Sequence, residues 1–438
     1  VKLARLLVSL LFLSGGGAAR AEKPVTDLRT LANGIRVASV YFPGSSNVAI
    51  FTYLPMGLAM DGPRQAQWSH LVEHLVIRST IPADSPKANA ETIVDHMRLD
   101  FYGNVGDWKE GLSHHRRWMQ GVPFTEATLA AEKPRVNSEC DFTARNFATG
   151  KFAFAAWAQG VRHDQTNAAL KGDVELATLK EIQKYRDDHL IVPSNIVVCI
   201  VGGIEPAKAF AAAAEELSSL AATGTRTLPV KLHPGNREMT WDLEARHLLM
   251  TWAIPRAGSA DFPPLLAAAQ WLNGRFFSDP DLKRLTGMTL AGADLTTSEG
   301  SFLYVSASLR RDAAFKDVQE KLEAHLRGLV SADGSPGMLP MLGQQLSENL
   351  TTVPDLKFLS GQLPPSVTPA MVEMNVGLQW GMNEFRYGPN KATVAKRLST
   401  LRVEEVQRAA KTYLMDSNRT VITLRPAGRD ETGSTPHE

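Results

Sequence analysis

Twice in this chain a helix-patterned segment with the same apolar spacing runs into a short β-branched strand: "LATLKEIQKYRDDHL" before "NIVVCIV", and "VEEVQRAAKTYL" before "RTVITL". Two copies of one unit imply two similar domains, because each copy has an apolar stripe of its own to bury. A length of 438 residues agrees, since it exceeds what one ordinary core supports. The polar stretch "TGTRTLPVKLHPGN", 223–236, holds two prolines and two glycines and is the best linker. The expected organisation is a leader over 1–21, a first domain over 22–222, the linker over 223–236, a second domain over 237–428 and a flexible tail over 429–438. Early alternation with turns at Asn33-Gly34 and "PGSS" reads as antiparallel strands. The second half repeats the mixture, with strands "ARHLLMTWAI" and "GSFLYVSASL" and helices "PPLLAAAQWLN" and "AAFKDVQEKLEAHLRGLV". The fold class is therefore α+β, each domain a mainly antiparallel sheet packed against helices. "PKANAETIVDHMRLD" reads as an amphipathic helix and "FYGNVGDW" as a Gly-broken strand.

With 44% apolar residues, 21% charged and a net charge of +1, the chain is globular and gives no reason to expect a nucleic-acid partner. Lys2 and Arg5 precede the apolar run Leu6 to Leu13, and small residues follow around Ala19 and Ala21; this pattern reads as a secretory signal peptide with cleavage expected after Ala21. No apolar stretch reaches the ~20 residues of a membrane helix. Val1 in place of Met reads as an alternative start codon, which points to a bacterial source and hence to the periplasm. Cys140 lies in a polar helix-like segment and Cys199 in a buried-strand pattern, so both are expected as unpaired thiols.

"SHLVEHLVIR" sets His70, Glu73 and His74 among Leu71, Val72, Leu75, Val76 and Ile77. On a helix, positions 70 and 74 share a face one turn apart, so two imidazoles can converge on one ion. H-x-x-E-H reverses the familiar zinc motif and is the inverzincin signature. A catalytic zinc takes three protein ligands and leaves a position open, so a third donor must come from another element. "EKPRVNSEC" offers Glu132 and Glu139 on one helical face: one could bind the metal while the other orients the site from behind.

On these residues the chain resembles the M16 metallopeptidases, the family of pitrilysin, insulysin and mitochondrial processing peptidase. "LANGIRVASV", "HLVEH", "EKPRVNSEC", "YRDDHLIVPSNIVVCIVGGIEP" and "LRVEEVQRAAKTYL" carry the resemblance over nearly the whole mature chain. It implies a duplicated M16-like fold, zinc held by His70, His74 and Glu139, Glu73 as general base, and Glu132 at the family's second acidic position. The implied activity is a zinc-dependent endopeptidase acting on peptides or unfolded segments. The family holds substrate as a strand added to a sheet edge; "YGNVGDW" stands near that place, making Asn104, Val105 and Gly106 the candidate substrate-binding residues, although no Asn-Ala pair is evident.

One departure is larger. The family's C-terminal domain supplies an Arg and, seven residues on, a Tyr that hold substrate and the oxyanion. Here "LKRLTGMTLAG" offers Lys283 or Arg284 and then Leu290 or Ala291, and no tyrosine occurs between Tyr185 and Tyr304. Losing an oxyanion donor typically costs ~10²–10³ in rate. The resemblance thus implies a heterodimer in which a sister subunit donates the Arg/Tyr pair; a homodimeric peptidase and a non-catalytic assembly subunit are the alternatives. Other motifs carry less. "HHRRW", 114–118, is read as an exposed helix face, "VGGIEP" as a strand-to-helix turn, and "NRT" at 418 as a sequon idle in bacteria.

Overall fold

The computed structural model describes residues 23–61, 64–82, 85–93, 95–145, 174–190, 195–221, 234–241, 245–294, 301–331, 336–354 and 366–426. The expected leader 1–21 and tail 429–438 lie outside them. So does most of the expected linker, and its last residues, Gly235 and Asn236, already belong to a strand.

The first half contains β1 (Val25–Thr30), β2 (Arg36–Tyr41), β3 (Asn47–Leu54), α1 (Trp68–Arg78), β4 (Ala88–Thr92), β5 (Met97–Asn104), α2 (Trp108–Gln120), α3 (Glu126–Arg145), α4 (Leu179–His189), β6 (Val197–Gly202) and α5 (Pro206–Leu217). The second half contains β7 (Gly235–Trp241), β8 (Arg246–Ile254), α6 (Phe262–Ser278), α7 (Pro280–Leu285), β9 (Thr286–Asp294), β10 (Ser301–Leu309), α8 (Phe315–Val330), α9 (Leu339–Thr351), α10 (Pro369–Tyr387), α11 (Lys391–Ser399), α12 (Val403–Tyr413) and β11 (Arg419–Pro426). The sheet orders are β1-β2-β6-β3-β5-β4 and β7-β11-β8-β10-β9. Setting aside β1, they match strand for strand: each has one parallel pair, β2 with β6 and β7 with β11, and is otherwise antiparallel. The duplicated α+β architecture is as the sequence implies, and α4–β6 and α12–β11 are the repeated helix-strand pair.

Period-two alternation sorts the first sheet into two buried faces. Val37, Val48, Ile50, Leu99, Phe101, Val198 and Ile200 meet the apolar side of α1 and its neighbouring helices. Ala38, Val40, Phe51, Tyr53, Cys199 and Val201 meet Trp380 and Phe385 of α10, a helix from the second half. β6 is buried on both faces and therefore reads as one continuous apolar run. Close approach of α10 needs Gly377 and Gly381: a Cβ would come within 2.6 Å of Val201 at the first and 2.6 Å of Tyr53 at the second. Tyr53 OH donates to Leu378 O at 2.7 Å, Arg36 Nη1 to Glu384 O at 2.6 Å and Ser45 Oγ to Glu373 Oε2 at 2.6 Å. Cys140 and Cys199 are both buried and neither is in a disulfide among the described residues; burial pushes the Cys199 thiol up to about 12.

Several local expectations are corrected. The segment read as a helix over "PKANAETIVDHMRLD" is the hairpin β4–β5, and "FYGNVGDW" is the end of β5 followed by a 3-10 turn and the start of α2. "HHRRW" is not an exposed face. His115 and Trp118 are buried, with His115 Nδ1 at 2.7 Å from Thr52 Oγ1 and Trp118 Nε1 donating to Thr80 Oγ1 at 2.6 Å. "VGGIEP" does form the turn between β6 and α5.

Candidate active site

The site is built on α1. Leu71, Val72, Leu75 and Val76 bury one side of this helix against the first sheet, leaving His70 and His74 half-buried on the other. Its N-terminal turn is pinned by Asp61, a fully buried carboxylate that accepts from Gln67 N at 2.8 Å and Ser69 N at 3.0 Å. Tyr185 of α4 donates to the same carboxylate at 2.6 Å. Burial drives the Asp61 carboxyl up to about 7 against these hydrogen bonds.

α3 packs beside α1, with Leu129, Val136 and Cys140 buried inward. Glu132 and Glu139, expected on one face, both reach the histidines but in different ways. Glu132 is buried, 2% exposed, and its Oε2 accepts from His74 Nδ1 at 2.9 Å. Arg135 donates to its other oxygen at 2.6 Å, and Arg78 Nε stands 4.0 Å away. Glu139 has a side chain 60% exposed; its oxygens lie 3.5 Å from His70 Nε2 and 3.7 Å from His74 Nε2. On the remaining ring nitrogen, His70 Nδ1 donates to Gln67 Oε1 at 3.0 Å. Both imidazoles therefore spend Nδ1–H on a supporting oxygen and aim Nε2 at Glu139.

The electrostatics follow this geometry. The imidazoles of His70 and His74, 3.5 and 3.7 Å from its oxygens, draw the Glu139 carboxyl below its ordinary range, a pull that solvent around this exposed side chain screens. Burial alone would lower the His74 pKa, but Glu132 and Glu139 outweigh it and raise it to about 9. Burial would raise the Glu132 pKa, yet His74, Arg135 and Arg78 leave it lowered.

His70, His74 and Glu139 present one donor atom each, all within 4.8 Å of one another. Donors at ~2.1 Å around a tetrahedral zinc stand ~3.4 Å apart, close to the imidazole–carboxylate spacings here. Two nitrogens and one carboxylate oxygen are a donor set that suits zinc and leaves a fourth position open. Glu73, between the histidines on α1, is 6% exposed, and its Oε2 is buried with no hydrogen-bond partner. A buried carboxylate oxygen left without a partner beside a donor cluster is free to accept a hydrogen bond from a group bound there. These residues fit the ion.

The substrate-edge expectation for residues 102–108 is corrected. β5 lies inside the sheet, Asn104 pairs with Asn47 of β3, and Val105 N donates to Ser46 O at 2.9 Å. The backbone N–H groups of Asn104 and Val105 are thus taken, by Asp107 Oδ2 and Ser46 O, and Gly106 lies in the 3-10 turn that follows the strand. Among the described residues, the edge strand on the side of α1 is β4, which packs against that helix and carries Asn89 and Ala90, an Asn-Ala pair hidden in the segment read as helical. In the second half, Lys283 and Arg284 sit on α7: Lys283 Nζ lies 4.7 Å from the Phe277 ring centre and Arg284 Nη2 lies 3.8 Å from Asp281. Leu290 and Ala291 are on edge strand β9.

Sequence reasoning missed Asp61, Gln67 and Tyr185. Gln67 stands three residues before His70, one helical turn away, and that spacing was its only signal in the sequence.

A family profile described as "Peptidase M16 inactive domain" matches residues 177–335. That span begins beyond Glu139 and includes none of the clustered residues. In sequence the chain is 20% identical over 456 residues to the "Zinc protease PqqE" of Helicobacter pylori (strain ATCC 700392 / 26695), covering 96% of this chain and 98% of that protein. Among solved structures, a protease from Helicobacter pylori superposes with a TM-score of 0.70 at 18% identity, over 92% of this chain and 100% of that one. The periplasmic protease PqqL from Escherichia coli gives a TM-score of 0.64 at 15% identity, over 94% of this chain but 48% of its own. The fold, the profile match and the full-length similarity to a zinc protease are all likenesses to M16 peptidases.

Proposed function

We propose that this chain is the zinc-binding subunit of a periplasmic endopeptidase, with a first domain over 22–222 that carries the site and a second over 237–428. The observation that carries the reading is the convergence of His70 Nε2, His74 Nε2 and Glu139 while each Nδ1 is held by a separate side-chain oxygen. Zinc held by these three residues would supply a Lewis acid that polarises a peptide carbonyl and acidifies water. Glu73 then does the proton work: its unpaired Oε2 takes one proton from the attacking water as the water oxygen bonds to the carbonyl carbon and returns it to the amide nitrogen as the C–N bond breaks, giving a carboxylic acid and an amine that settle, by passing the water's second proton to nitrogen, as carboxylate and ammonium. Glu132 orients His74, and the free edge of β4 accepts an extended peptide by main-chain pairing beside α1.

Absence of an Arg/Tyr pair on α7–β9 favours a partner that donates it, and the correspondence to 48% of the PqqL chain suits a subunit that works as one half of a larger enzyme. The same absence supports the second reading, a non-catalytic binding or assembly subunit. Glu73→Gln separates the two. A peptidase loses turnover by at least ~10² while retaining zinc, alone or with a co-expressed sister chain. Absence of any chelator-sensitive hydrolysis in wild-type protein, with and without that sister, would leave the assembly role standing.

A further inference from the structure

We propose that Gln67 is a positioning residue for the metal, holding His70 in the tautomer and orientation that direct Nε2 at the ion. The inference rests on the zinc-site reading above and deepens it. Gln67 is 3% exposed and lies in the left-handed region, φ 66°, where a side chain is disfavoured and glycine is not. Its backbone N–H is held by Asp61 Oδ2, and its side-chain Oε1 accepts from His70 Nδ1 at 3.0 Å. A helix start that needed only the bend would be served better by glycine. What glycine lacks is the acceptor oxygen, and that oxygen does for His70 what Glu132 does for His74. The two supports differ in charge. Glu132 is an anion, whereas Gln67 is neutral and orients His70 without adding negative charge beside Glu73 and Glu139.

This duality yields variants that separate positioning from architecture. Gln67→Gly relieves the backbone and removes the acceptor; Gln67→Met removes the acceptor at similar volume; Gln67→Glu keeps an oxygen in place. On the full chain, Zn²⁺ affinity is measured by competition with a chromophoric chelator, the donor set by the visible spectrum of the Co²⁺ form, and thermal unfolding with chelator present. Gly and Met should bind Zn²⁺ 10–100-fold more weakly with altered Co²⁺ spectra, Gly melting at or above wild type, while Glu stays within about threefold of wild-type affinity. Gly and Met variants that hold Zn²⁺ within about threefold of wild type overturn the proposal alone. If both lose the folding transition together with the metal, the role is structural and the proposal falls. Wild-type protein that takes up no Zn²⁺ overturns this inference and the zinc-site reading together.

Discussion

Glu132 and Glu139 are equivalent in sequence terms, seven residues apart on one helix, yet the structure assigns them opposite energetic signatures that mutation can read. Glu139 is exposed and touches the histidines only at 3.5 and 3.7 Å, so in metal-free protein its removal should alter stability by no more than ~0.5 kcal/mol. Removing a third ligand should nevertheless weaken zinc binding by ~10³ or more. Glu132 is buried and holds charge-assisted hydrogen bonds with His74 at 2.9 Å and Arg135 at 2.6 Å. Glu132→Ala strands the buried His74 nitrogen and should cost ~2–4 kcal/mol, roughly 5–15 °C in Tm for a domain of this size. Its zinc affinity should fall only ~10–100-fold, the usual loss for a group supporting a ligand. Metal content by mass spectrometry, chelator competition and thermal unfolding with chelator present measure both axes. Zinc lost entirely in Glu132→Ala and kept in Glu139→Ala would invert the assignment and refute the reasoning from burial and distance.

Two further outcomes are expected away from the site. His247 is buried beside Ser308 with its pKa pushed down to about 4, so it takes up a proton on unfolding below its unfolded value near 6.5. Its contribution to stability is intact above about pH 6.5 and falls by roughly 3 kcal/mol as pH drops to about 4. Urea unfolding against pH should therefore be less steep in His247→Gln, and identical slopes would refute the burial argument. At the junction of the halves, Gly381→Leu places a side chain where even a Cβ meets Tyr53 at 2.6 Å and Cys199 at 2.8 Å. A loss of ~1–3 kcal/mol and a weaker hold of α10 on the first sheet are expected, read by hydrogen exchange of α10; unchanged protection would count against close packing there.

The parts of the fold legible in the sequence are those whose side-chain period reports one buried face. α1 shows a clean stripe at Leu71, Val72, Leu75 and Val76, and β6 is an uninterrupted apolar run because both its faces are covered. β5 was legible too and was misread. Met97, Leu99 and Phe101 alternate with Arg98, Asp100 and Tyr102, a period of two that belongs to a strand. Arg98 and Asp100 can be buried because Arg98 and the half-buried Tyr102 both donate to Asp100, at 2.7 and 2.8 Å. α10 escaped notice for another reason. Its glycines weaken a helical reading, and the surface that requires them belongs to a sheet formed some 170 residues earlier in the chain.

From the sequence alone came the duplicated α+β plan, the HxxEH turn, the candidacy of two glutamates, and the absence of a tyrosine where the family places one. Those are properties of spacing and residue type, which a linear chain carries intact. Only the tertiary structure decided that Glu139 faces the imidazole Nε2 atoms while Glu132 stands behind one of them, that Gln67 supports the other, and that β4 is the open edge. Each of those depends on which side of a helix another element approaches, and that is settled by packing between segments far apart in the chain.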